Sequence, residues 1–221
     1  FALLSAAVFA EPAKPAPKPF TLPAGIKMEK DIAYIADGDE AQKLDLYLPA
    51  DAAPGQKRPA LVWIHGGGWT GGTKTENRAK NVCVTAAEAG YVAVSVDYRL
   101  GAGAWPTNLF DCKNAVRFLR VHAARYGVDP DRIAVAGGSA GGHLALMVAL
   151  TTGKPGLEPT GDATPYAGVS SAVRCVVNFY GVTNILTRRE TDKQGNPSEA
   201  RRTLAGPMSV HRATSKTDPV L

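Results

Sequence analysis

The chain has 221 residues, 45% of them apolar and 20% charged, with a formal net charge of +5 at neutral pH. That is enough for one domain with a substantial core, and the balance of apolar and charged residues excludes wholesale disorder. The basic residues are scattered, with short clusters such as Arg188-Arg189 and Arg201-Arg202 and no recognition motif or aromatic stacking platform, so no nucleic acid partner is expected.

The first segment, FALLSAAVFA at 1–10, reads as the apolar core of a secretory signal peptide, with small Val8 and Ala10 placed for cleavage before Glu11. It is too short to span a bilayer, so the expectation is a secreted or periplasmic protein without stable membrane insertion. No initiator Met or charged segment precedes it, so the sequence is expected to begin inside a longer gene product. Residues 11–30 read as an extended Pro-rich tether, and the folded domain is expected over 31–221. Residues 31–36 and 43–48 read as an edge hairpin around Asp37-Gly38-Asp39. A central strand is expected at 60–64. Residues 77–89 read as a helix stopped by Gly90, and 91–96 as a strand buried on both faces. Over 109–126, Cys112, Val116, Leu119, Ala123 and Tyr126 fall at helical spacing, predicting one helix ended by Gly127. A strand at 133–136, a helix at 140–150, a Gly/Pro/Thr-rich surface loop at 151–171 and a strand at 174–179 follow. This alternation predicts an α/β fold: an open, mostly parallel sheet with helices on both faces.

Cys83, Cys112 and Cys175 are expected on core faces as small buried hydrophobes. Their spacing suggests no metal site. A disulfide after export would pair two of them, and the sequence does not choose the pair.

Two motifs carry the chemistry. Gly137-Gly138-Ser139-Ala140-Gly141 is a G-x-S-x-G segment between a strand and a helix. In that setting a serine sits on a strained turn with its hydroxyl held above the sheet, and the glycines leave room for the close approach. His65-Gly66-Gly67-Gly68-Trp69 follows another strand. Ester hydrolysis passes through a tetrahedral oxyanion, and a glycine run at a strand end supplies backbone N–H donors for it; the residue after the nucleophile supplies one more. Ser139 is therefore the candidate nucleophile, and Gly67, Gly68 and Ala140 the candidate oxyanion hole. The bland alternatives are a Gly-rich helix start and a loop that only packs. His65 is read as pinning the loop. Trp69 either walls an acyl pocket or packs beneath the loop, and Asp97, Tyr98 and Arg99 are read as its support.

LDLYLP at 44–49, HGGGW at 65–69, VSVDYRL at 94–100, DPDRI at 129–133, GGSAGGH at 137–143 and NFYG at 178–181 fall in a familiar order. On these segments the chain, from about Asp31 onward, resembles the α/β-hydrolase superfamily, specifically the carboxylesterases of the hormone-sensitive-lipase and feruloyl/acetyl esterase type. The resemblance implies a serine carboxylesterase acting through an acyl-enzyme on small-molecule or polysaccharide-linked esters, with no metal or organic cofactor. It also implies a lid over 181–218, here short, and hence a shallow, open cleft.

In such enzymes an acid and then a His follow the nucleophile. After Ser139 the sequence offers only His143 and His211. His143 lies one turn into the helix, directed along its flank, and His211 comes before any suitable acid. Asp162 and Asp192 sit in polar loops. Asp218 matches an Asp-Pro that leads into a further strand, begun by Val220-Leu221, beyond which the family carries its H-G-x-x-D acid and then its His. The expectation is a fold truncated before its last strands, with a serine left weakly nucleophilic without its base. An amide or peptide hydrolase of the same fold, or a non-catalytic hydrolase-like binding protein, are the alternatives. Acyl and alcohol specificity and oligomeric state are not legible in these residues.

Overall fold

The computed structural model describes residues 20–51, 55–101 and 103–183. The leader reading of 1–10, the polar excursion past 183, and Asp192, His211 and Asp218 lie outside the described residues.

The chain opens with an antiparallel hairpin, β1 (Ile26–Ala33) and β2 (Lys43–Pro49). β1 begins before the expected residue 31, so 26–30, read above as tether, is strand. Its charged Lys27, Glu29 and Lys30 suit an edge strand, where exposed charges discourage further pairing, while Ile26 and Met28 pack inward. There follow β3 (Arg58–Ile64), α1 (Asn77–Glu88), β4 (Val92–Val96), α2 (Thr107–Val121), α3 (Ala123–Tyr126), β5 (Val128–Gly138), α4 (Ala140–Leu150) and β6 (Cys175–Phe179). The sheet order is β1-β2-β4-β3-β5-β6, and β4–β3, β3–β5 and β5–β6 are parallel.

Period-two alternation sorts the strand residues onto two faces. Ala60, Val62 and Ile64 of β3, Val92, Val94 and Val96 of β4, and Ile133 and Val135 of β5 share a buried cluster with α2 and α4. Trp63, Ala93, Ala136 and Tyr47 face the opposite way, against Ala79, Cys83, Val84 and Ala87 of α1. This is the mostly parallel sheet with helices on both faces that the strand–helix alternation predicts. Each fully buried aliphatic side chain contributes about 1.5–3 kcal/mol, so the central strands are a rigid base for whatever their carboxyl ends carry. Among the described residues no helix is long and apolar enough to cross a membrane.

Two expectations need correction. The single helix over 109–126 is two, because the backbone leaves the α region at His122 (ψ 17°). The bend keeps Ala123 and Tyr126 on the core, and Gly127 then closes the chain at φ 65°. Cys175 is exposed, because β6 is a sheet edge whose Cys175, Val177 and Phe179 face is uncovered among the described residues. Cys83 and Cys112 are buried on opposite faces of the sheet, and all three thiols are free. The 151–171 segment runs over the surface as expected and is stapled to α2. The buried Lys113 ammonium donates to the carbonyls of Thr151 (2.9 Å) and Leu157 (2.7 Å) and to Glu158 Oε1 (2.7 Å). Arg117 donates to the other Glu158 oxygen at 2.6 Å. A buried lysine is tolerable only when its charge is paired and its donors are used, and here both conditions hold.

Candidate active site

β5 ends at Gly138 and α4 starts at Ala140, leaving Ser139 between them at φ 55°, ψ −120°. A non-glycine residue at positive φ costs on the order of 1–3 kcal/mol and persists only where its surroundings over-determine it. They do so here. The Ser139 N–H donates to the Phe179 carbonyl of β6 at 3.0 Å, and the Ser139 carbonyl accepts the His143 N–H at 3.1 Å, opening α4. The flanking glycines are a steric requirement: a Cβ at Gly137 would lie 2.3 Å from the Gly141 carbonyl oxygen, and one at Gly141 would lie 2.1 Å from that of Ile64.

The parallel register pairs Ile64 with Gly137, so the 65–69 segment leaves the sheet at the same carboxyl edge as Ser139. The two motifs touch there: a Cβ on Gly66 would lie 3.4 Å from Ser139 Cβ. Gly67, at φ 115°, makes the turn, and its carbonyl accepts the N–H groups of Thr70 (3.2 Å) and Gly71 (3.0 Å). Gly68, at φ 62°, has no neighbour among the described residues within 4 Å of where a Cβ would be. Ala140 is the first residue of α4, so no carbonyl one turn earlier claims its N–H, which adds to the positive end of the helix dipole. Ser139, Gly67, Gly68 and Ala140 thus share one sheet edge.

The surrounding residues hold the loop. His65 is fully buried, its Nδ1 lies 2.7 Å from the Gly66 carbonyl oxygen, and its ring stacks on Tyr98 with centroids 4.4 Å apart. The Tyr98 hydroxyl donates to the His65 carbonyl at 2.9 Å. Burial pushes the His65 pKa down, against the opposing pull of the Gly66 hydrogen bond and of Asp97. A neutral, stacked imidazole in this position braces the loop. Trp69 is buried in the core beneath it, its ring edge-on to His143 at 5.4 Å, and Trp105 lies 6.2 Å from His143 on a tilted plane. His122 packs on Phe118, and Asp162 sits in a 3₁₀ turn (Gly161–Ala163).

Several supports escaped the sequence reading. Asp111, fully buried on α2, accepts the Arg99 N–H (2.9 Å), both arms of its guanidinium (2.9 and 2.7 Å) and the Gln42 amide (2.7 Å). It thereby fixes the 97–100 segment that carries Tyr98. Tyr180, at φ 46°, sits with its hydroxyl over Gly138, and Arg78 donates to that hydroxyl with its guanidinium 5.3 Å from the ring centre. Lys74 joins Asp31, Asp45 and Asp97 in one ionic cluster beside His65. The only local cue was a lysine closing a glycine-rich loop, and its partners lie far along the chain.

Comparison with known proteins adds context. A family model described as BD-FAE matches residues 44–220. The esterase LipQ of Mycobacterium tuberculosis is 35% identical over 156 residues, covering 70% of this chain and 35% of that protein. A bifunctional GH43-CE structure from Bacteroides eggerthii superposes with a TM-score of 0.66 at 32% identity, over 78% of this chain and 24% of that one. Thermogutta terrifontis esterase 2 phosphorylated by paraoxon superposes with a TM-score of 0.54 at 31% identity, over 78% and 63%. The chain spans about a third of the length of the curated relatives it matches.

Proposed function

The chain belongs to the BD-FAE family, among the carboxylesterases of the α/β-hydrolase superfamily, and from that premise we propose that it works as the nucleophile-bearing part of a serine carboxylic-ester hydrolase. The observation that carries this reading is Ser139, at φ 55° between β5 and α4, pressed against Gly66 of the HGGGW loop. In the proposed reaction Ser139 Oγ bonds to the ester carbonyl carbon while its proton passes to a base. The C=O π pair moves onto oxygen, where the Gly67, Gly68 and Ala140 amides stabilise it. Collapse re-forms the carbonyl and expels the alcohol, which takes up the proton. Water then releases the acid from the acyl-enzyme by the same steps.

The base and its acid partner are placed outside the described residues, after Ser139 in the chain, which is the order this architecture uses. On this reading the 221 residues alone turn over esters poorly. The proposed substrates are short-chain or polysaccharide-linked acyl esters. Support comes from the exposed edge at Gly68 and from similarity to the bifunctional GH43-CE protein of Bacteroides eggerthii. Export follows from the leader reading of residues 1–10.

The test is p-nitrophenyl acetate hydrolysis by the full-length protein and its Ser139→Ala variant. The variant is expected to lose nearly all turnover, retaining at most about 10³–10⁴-fold over water, as triad knockouts do. Equal rates would remove Ser139 from the chemistry.

A further inference from the structure

We infer that Lys74 is a positioning residue for the oxyanion loop: clamped among Asp31, Asp45 and Asp97, it fixes the returning end of the 65–74 segment and with it the Gly67 and Gly68 amides. The inference rests on the esterase reading for its catalytic meaning, though not for its geometry.

Lys74 is a lysine only 5% exposed, and a buried ammonium needs paired charge. Its Nζ lies 2.6 Å from Asp31 Oδ1, 3.0 Å from Asp45 Oδ1 and 3.9 Å from Asp97 Oδ2. These carboxylates come from β1, from β2 and from the residue just past β4. Asp31 reaches the cluster through a special backbone. It stands at φ 55° where the β1–β2 register shifts between Glu29 and Ile32, and its N–H donates to Asp45 Oδ1 at 3.0 Å. Bulges of this kind re-aim a side chain; this one turns an edge-strand carboxylate onto the ammonium.

The main chain of Lys74 is held as firmly. Its N–H donates to Asp97 Oδ1 at 2.6 Å, and its carbonyl accepts the Ser95 hydroxyl at 2.9 Å. The same Asp97 oxygen lies 3.7 Å from His65 Nε2, so Asp97 bridges the start and the end of the loop. Gly72 closes the clip, its backbone so near His65 that a Cβ there would lie 2.5 Å from Nδ1. Between these anchors Gly68 has no side chain and, among the described residues, no neighbour on its open side. The shape of the glycine run is therefore set from its ends. Removing the ammonium leaves three carboxylates facing one another, and Asp97 can then turn from the Lys74 N–H toward water.

The experiment compares the full-length protein with Lys74→Arg, Lys74→Met and the double variant Lys74→Met/Asp45→Asn. The double variant neutralises the carboxylate that the methionine would leave buried and unpaired, which preserves folding. Amide hydrogen exchange is read separately for residues 66–72 and for β3, β5 and α4. Both methionine variants are expected to speed exchange at 66–72 by about tenfold or more while the sheet and α4 keep their protection. Their kcat should fall about 10²-fold with little change in KM, the signature of a lost oxyanion donor, and Lys74→Arg should recover most of both. Unchanged exchange at 66–72, or exchange rising equally across the sheet, would overturn the proposal. A wild-type protein that hydrolyses no ester would overturn the esterase reading instead, and the exchange pattern would still decide the role of Lys74.

Discussion

The Ser139 turn and the 65–74 loop meet at one sheet edge but are held by different forces. The turn at 137–142 is fixed by backbone packed on backbone, with glycines at 137 and 141 where the carbonyls of Gly141 and Ile64 leave no room for a Cβ. The loop at 65–74 borders open space at Gly68 and is fixed by charges and rings behind it: Lys74 with its carboxylates, and His65 stacked on Tyr98. Contact between backbones does not depend on pH or charge, whereas an ionic clamp with a buried imidazole depends on both. The Ser139 turn is thus set by shape and the glycine loop by electrostatics, and the two regions should fail differently.

The largest effect on that contrast is expected at the turn. Gly141→Ala drives a methyl to 2.1 Å from the Ile64 carbonyl oxygen, so α4 must shift away from β3. Unfolding in urea should show a loss of about 3 kcal/mol, the upper part of the overpacking range, with activity lost as well. In the loop, Gly67→Ala and Gly68→Ala should separate activity from stability. A Cβ at Gly67 meets the Gly71 carbonyl oxygen at 2.0 Å and must displace the turn, so kcat should fall about 10²-fold or more as one donor is lost. At Gly68 the methyl enters open space, the cost is the left-handed backbone of about 1–2 kcal/mol, and kcat should fall less. Equal losses at the two positions would mean that the loop is not braced as described.

The smallest effect is expected from pH. Burial holds the His65 pKa below its ordinary value near 6.5, so the unfolded chain binds this proton more readily than the folded one. Stability from the neutral imidazole is then present above about pH 6.5 and declines as pH falls toward the folded pKa, at no more than about 1.4 kcal/mol per unit. Melting temperatures between pH 8 and 5.5 should fall less steeply for His65→Gln than for wild type. Parallel slopes would place the acid sensitivity elsewhere.

The same contrast explains what could be read from the sequence. Ser139 and the 65–69 glycines were legible because their geometry is imposed locally, by glycine spacing between a strand and a helix. β3 and β4 followed from continuous apolar runs, α1 and α4 from helix-forming residues bounded by glycine, and the sheet class from their alternation. The braces were not legible. Asp31, Asp45 and Asp97 converge on Lys74 only after three strands are aligned, and Asp111 and Lys113 are buried charges within a helix whose apolar residues already accounted for its inner face. Lys113 also staples the 151–171 surface loop to α2, through carbonyls that carry no sequence signal. The exposure of Cys175 and the bend at His122 depend on what packs alongside, which periodicity does not encode.

The central claim, that Ser139 is a nucleophile facing a formed oxyanion hole, is tested most directly by paraoxon. Phosphylation displaces p-nitrophenolate and places negative charge on an oxygen where the ester oxyanion would sit, so it needs both regions together. Intact-mass analysis of the full-length protein should show a single diethylphosphoryl adduct, mapped to Ser139 by peptide sequencing and absent from Ser139→Ala. An unlabelled wild-type protein, or the same adduct on the Ser139→Ala variant, would contradict the account.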